Sequence, residues 1–125
     1  MATVDPFELD AHVVTCGFLG EAAVFALGDG RVVVRGGEPD LTVEAHDGGL
    51  LAACFSADGR ALLTSGDDGR VVRIGARGEI ETLFEKPGKW LDQLAEGPQG
   101  AIATASGRMA WVRLANGEIV EFPHE

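Results

Sequence analysis

Much that would assign a chemistry is missing from this chain of 125 residues. Only two cysteines are present, Cys16 and Cys54, and each sits in an apolar run, too far apart to read as a metal or redox pair. Both are expected to be small buried thiols in a reducing, cytoplasmic setting. The opening segment Met1-Ala2-Thr3-Val4-Asp5-Pro6 lacks the basic and apolar regions of a secretion signal. No apolar run approaches the length of a membrane span. Basic charge is scarce: ten Lys and Arg stand against twenty Asp and Glu, for a net charge of −10. Phosphate contact wants clustered cations, so a nucleic-acid partner and an anionic membrane surface are both disfavoured. A phosphate loop, a Gly-x-Ser-x-Gly elbow and a His-Glu-x-x-His helix are also missing.

Glycine is what the chain has in excess. Eighteen glycines are about twice the usual share, and they are scattered instead of clustered. Asp29-Gly30, Asp58-Gly59, Asp68-Gly69 and Asn116-Gly117 each lie between apolar or β-branched runs. These dipeptides suit the left-handed dihedrals of tight hairpin turns. The runs between turns are four to seven residues long, a strand length.

The runs recur. Gly30-Arg31-Val32-Val33 returns 39 residues later as Gly69-Arg70-Val71-Val72, and Gly107-Arg108-Met109-Ala110 follows after a further 38. His46 and His124 are two such steps apart, and Phe18 returns as Phe55. Four short strands per period of about 40 residues make one blade of a β-propeller. The pattern predicts strands near 13–18, 22–27, 31–35 and 41–44, then 50–55, 61–65, 70–74 and 79–84, then 90–95, 101–105, 108–114 and 118–122. Leu50-Leu51-Ala52-Ala53-Cys54-Phe55 is apolar on both faces, as an inner strand covered by two neighbours should be. Leu41-Thr42-Val43-Glu44 alternates, as a half-wet rim strand should.

On Ala45-His46, Phe55-Ser56-Ala57-Asp58-Gly59 and Leu62-Leu63-Thr64-Ser65-Gly66-Asp67-Asp68-Gly69, the chain resembles the WD-repeat β-propeller family. The eponymous Trp-Asp pair is lost: Arg73-Ile74-Gly75 stands in its place in the middle repeat, and Trp111 of the third repeat has no Asp after it. The resemblance implies an all-β fold of about three four-stranded antiparallel blades forming part of a ring. It divides the chain into a spare latch strand (4–9), blades at 12–44, 45–84 and 85–122, and the start of another repeat (123–125). The chain then reads as the N-terminal portion of a longer propeller, or as a part-ring that self-associates. The resemblance also implies a buried structural network of His46, Thr64 and Asp68, with His12 and Asp29 as the corresponding pair of the first repeat. The third repeat has Lys86-Pro87-Gly88-Lys89 where its His should be, so packing alone is expected to hold it.

His12, His46 and His124 fall at equivalent places on different blades, so they cannot converge on one metal. No catalytic residue, cofactor or metal is expected. Asp67-Asp68-Gly69 lacks the spacing of a calcium loop and reads as a turn. Trp111 is expected in the core, and Trp90, entering the third blade after Lys89, is the candidate contact with a partner. By analogy of fold, the expected function is a non-catalytic protein-interaction scaffold whose partner is another protein. The alternative is a propeller enzyme with a metal or polar site in the central channel. Thr15, Cys16, Cys54, Asp92 and Gln93 would line that channel, with only one carboxylate among them.

Overall fold

A computed structural model describes residues 9–36 and 40–123. Twelve strands form three separate antiparallel sheets of four, each in simple up-and-down order. Blade 1 comprises β1 (Val13–Leu19), β2 (Ala22–Leu27), β3 (Arg31–Arg35) and β4 (Leu41–Glu44). Blade 2 comprises β5 (Leu50–Phe55), β6 (Ala61–Gly66), β7 (Arg70–Gly75) and β8 (Ile80–Glu85). Blade 3 comprises β9 (Gln93–Glu96), β10 (Ile102–Ser106), β11 (Met109–Arg113) and β12 (Ile119–Pro123). The innermost strands β1, β5 and β9 touch in succession. Of the predicted latch strand at 4–9, all but Leu9 lies outside the described residues, as do His124 and Glu125.

The turns form for a local reason. At each Asp-Gly or Asn-Gly, the side-chain oxygen accepts a hydrogen bond from the backbone two residues on. The pairs are Arg31 to Asp29, Arg60 to Asp58, Arg70 to Asp68 and Glu118 to Asn116, at 3.2, 3.0, 3.2 and 2.9 Å. Such side chains pre-shape a turn before any strand pairs. In Phe55-Ser56-Ala57-Asp58-Gly59, the Ser56 hydroxyl donates to Asp58 at 2.6 Å and accepts from the Ala61 amide at 3.1 Å. That bond, followed by the Arg60 amide, holds the exposed Asp58 carboxyl below the ordinary range.

Blade-on-blade packing supplies the core. Between blades 1 and 2, Val24, Val32 and Val34 meet Leu62, Val72 and Ile74, all essentially inaccessible to solvent. The Phe55 ring lies against Gly17, where a Cβ would occupy the place of the ring edge. Between blades 2 and 3, Leu63, Val71 and Phe84 meet Leu91, Ile102 and Trp111. The Phe84 and Trp111 rings are 5.5 Å apart and tilted.

Two expectations need correction. Cys16 is exposed and Cys54 only half-buried. Successive strand residues point to opposite faces; Gly17 faces Phe55 of blade 2, so Cys16 and Phe18 face the other way, and Phe18 is 67% exposed. Secondly, the innermost strand of blade 3 begins at Gln93 and not at 90. Leu91 is pulled out of the ladder: its amide donates to Gly66 O at 3.1 Å, and its carbonyl accepts from the Ser65 hydroxyl at 2.7 Å. Both partners belong to blade 2.

Candidate functional site

One edge of the three-blade arc carries the connectors from each outer strand to the next inner strand, together with the turns between the two middle strands. The first connector, residues 45–49, is gripped from two sides. From blade 1, Gly30 O accepts the amides of Ala45 and His46 at 2.9 and 3.1 Å. From blade 2, the β6–β7 turn reaches back: Asp67 accepts the Gly49 amide and Asp68 the Asp47 amide, both at 3.0 Å.

His46 locks this grip. Its Nδ1 is 2.9 Å from Asp68 Oδ1, and its Nε2 is 2.8 Å from Thr64 Oγ1. A neutral imidazole satisfies all three groups when Nδ1–H donates to the carboxylate and the Thr64 hydroxyl donates to Nε2. The His46 side chain is 0% exposed and that of Asp68 is 8%. Burial on its own would raise the Asp68 pKa. The His46 hydrogen bond, then those of the Asp47 and Arg70 amides, outweigh it and hold the carboxyl low. Among the described residues no buried side-chain nitrogen or oxygen is left without a partner. The absent Trp therefore leaves no orphan: in the stretch that stands in its place, Ile74 pairs with Leu62 across the ladder and packs as plain core.

Blade 1 lacks this arrangement. His12 is exposed, and its ring lies over Gly28. Asp29 turns instead to Arg31, whose Nε is 2.8 Å from its Oδ2, so the expected His12–Asp29 pair is not formed. The guanidinium outcompetes an imidazole because it is always charged and lies two residues away. Blade 3 also departs from expectation, since polar ties join the packing. The Thr104 hydroxyl donates to Gln93 O at 3.0 Å, Trp111 Nε1 donates to Glu121 at 2.9 Å, and Glu96 accepts the Ala57 amide of blade 2 at 2.6 Å. Trp111 pairs with Thr104 across the ladder, as Val72 does with Thr64, yet its indole points its proton toward the rim.

The second connector, residues 86–92, is gripped mainly by blade 2. Lys86 N donates to Gly69 O at 2.7 Å, just as Ala45 does to Gly30. Gly69 has φ +77°, and a Cβ there would collide with the Lys86 carbonyl oxygen. Pro87 stands where His46 stands in the first connector, and the turn of blade 3 has no Asp to reach back. The side turned away from blade 2 is therefore open, and Trp90 is 67% exposed beside the fully buried Leu91. A Trp at the entry to an inner strand could be read in the sequence; that it stays uncovered could not.

Toward the channel, Thr15, Cys16, Cys54 and Gln93 lie on β1, β5 and β9, and Asp92 just precedes β9. Burial, followed by the Glu96 charge, pushes the Cys54 thiol up, which makes it a poor nucleophile. No group of three His, Cys, Asp or Glu able to hold a metal occurs among the described residues.

No family model matches the chain. It is 31% identical over 80 residues to the mouse (Mus musculus) intraflagellar transport protein 80 homolog, a stretch covering 62% of this chain and 10% of that protein. Among solved structures it is similar to U3-55K, with a TM-score of 0.74 and 15% identity over 93% of this chain and 40% of that one. A chain of the mitotic checkpoint complex superposes with a TM-score of 0.67 and 19% identity, over 86% of this chain and 36% of that one. Hsv2 of Kluyveromyces lactis gives 0.62 and 16%, over 80% and 36%. The chain thus spans well under half the length of each of these proteins. Three four-stranded sheets in blade order, the Asp-Gly turns and the His46 clasp all agree with that likeness, and the fold is that of the WD-repeat β-propellers, of which this chain forms three consecutive blades.

Proposed function

We propose that the chain is a non-catalytic protein-interaction scaffold that works through its connector edge as part of a propeller. The observation that carries this reading is Trp90: an indole 67% exposed on a connector pinned at both ends. Trp is, with Tyr and Arg, among the residue types enriched at interface hot spots. The three blades supply the stiffness, and the connectors supply surface that can vary without disturbing the core.

The third blade also asks for a neighbour. The face of blade 3 turned away from blade 2 carries Ala95, Ala103, Val112 and Val120 in one register row, all apolar. In blade 2 the same side, with Leu63, Val71 and Phe84, is buried under blade 3. Further blades, or a second copy of this chain, would cover that row in the same way.

The reading is tested by crosslinking in source cells with wild type and a Trp90→Ala variant, followed by identification of the captured proteins. A protein captured by wild type and lost from the variant supports it. An identical set from both chains argues against a role for this edge.

A further inference from the structure

The chain has only two lysines, Lys86 and Lys89, and both lie in the five residues that end in Trp90. Eight arginines supply the remaining basic charge, against twenty acidic residues. Lys86 and Lys89 are exposed, and neither has an ion-pair partner among the described residues. Arg31 and Arg70, by contrast, are paired with Asp29 and Glu85. In a protein of net charge −10, two unpaired lysines precede an uncovered indole within five residues.

The loop is also pre-shaped. Lys89 N donates to Lys86 O at 3.2 Å, closing a four-residue turn with Pro87 and Gly88 at its centre. Gly88 has φ +83°, the value the third residue of a type II turn requires, and Pro fixes the second. Lys86 is bonded to Gly69 on one side, and Leu91 to Gly66 and Ser65 on the other. A partner therefore orders little backbone when it binds, which lowers the entropic cost of association.

We propose that the Lys86–Trp90 loop docks an acidic segment of a partner protein, with Trp90 packing against an apolar side chain and Lys86 and Lys89 meeting flanking carboxylates. The inference rests on the scaffold reading above and adds the chemistry of the partner. Charge complementarity is local: a basic or neutral segment would gain nothing from the two cations, and a short acidic segment can meet them alone, whereas an extended anionic membrane would also meet the acidic remainder of the molecule.

The test pans a phage-displayed library of random peptides against the whole chain. The peptides recovered are then measured on wild type, Trp90→Ala and the double variant Lys86→Glu/Lys89→Glu. Circular dichroism confirms that both variants keep the fold, as changes on an exposed loop should allow. The expected peptides carry Asp and Glu around an apolar residue and weaken with added salt. Each variant should bind them on the order of tenfold more weakly or worse. Neutral or basic peptides, or acidic ones indifferent to both variants, overturn the inference. So does sedimentation of the chain with phosphatidylserine vesicles that depends on Lys86 and Lys89, which would assign the loop to lipid. Peptides lost instead on an Asp47→Arg change would leave the scaffold reading standing and sink this one. No enrichment at all would sink both.

Discussion

Replacing Asp68 with Ala tests whether His46, Thr64 and Asp68 act as one unit. The carboxylate accepts from His46 Nδ1 at 2.9 Å, from the Asp47 amide at 3.0 Å and from the Arg70 amide at 3.2 Å. Asp47 is exposed, so water replaces that bond. The His46 side chain is 0% exposed, and water does not reach it without local opening. An orphaned buried donor costs about 1–3 kcal/mol, and the partly buried Arg70 amide adds to it, so a loss of roughly 2–4 kcal/mol is expected. A domain of this size is stable by about 5–15 kcal/mol, which makes that loss plain in a urea titration. His46→Ala should cost a similar amount, because it leaves the buried Thr64 hydroxyl unpaired and opens a void. The decisive comparison is the double variant. Once His46 is gone, removing Asp68 deletes much less, so the pair should show a coupling of about 1–2 kcal/mol. Losses that add to within about 0.3 kcal/mol would refute the reasoning.

The same carboxylate should shape the acid limb. Its folded pKa is depressed, so its contribution is fully present above the unfolded value of about 3.9 and is lost as pH falls through the lowered folded value. Asp68→Asn should therefore flatten the stability profile in that range, measured by urea midpoints at a series of pH values. Gly17→Ala should destabilise by about 1–3 kcal/mol, since its Cβ would press on the Phe55 ring; a neutral effect on the melting curve would mean the two blades can part there. Trp111→Ala should cost about 3–5 kcal/mol, read from the denaturant midpoint, because the indole is 2% exposed and lies between two blades. Trp90→Ala, by contrast, should leave stability within about 0.5 kcal/mol of wild type in the same assay.

The fold was legible because its signals are local and repeated. Asp29, Asp58, Asp68 and Asn116 each pre-shape a turn through a bond two residues away, and such a bond can be read from a dipeptide. The His46 clasp was legible through resemblance, since Ala45-His46, Thr64 and Asp68 kept their spacing. What the sequence hid depends on competition and on neighbours. His12 and Asp29 keep the right spacing, but Arg31 takes the carboxylate. Cys16 looks buried in its apolar run, yet nothing in that run says which face a second blade covers. Trp111 resembles the lost Trp of the pattern, but Glu121 on the next strand redirects its proton to the rim. Trp90 was legible as a Trp entering an inner strand, but its exposure depends on packing that no local pattern records.

The connector edge is a surface pinned by backbone hydrogen bonds, with the Trp90 indole left open. Hydrogen exchange followed by nuclear magnetic resonance tests this in a single sample. The amides of Lys86 and Leu91, bonded to Gly69 and Gly66, should be protected along with the Trp111 indole proton, while the Trp90 indole proton exchanges freely. Fast exchange at Lys86 and Leu91, or equal protection of the two indoles, would contradict it.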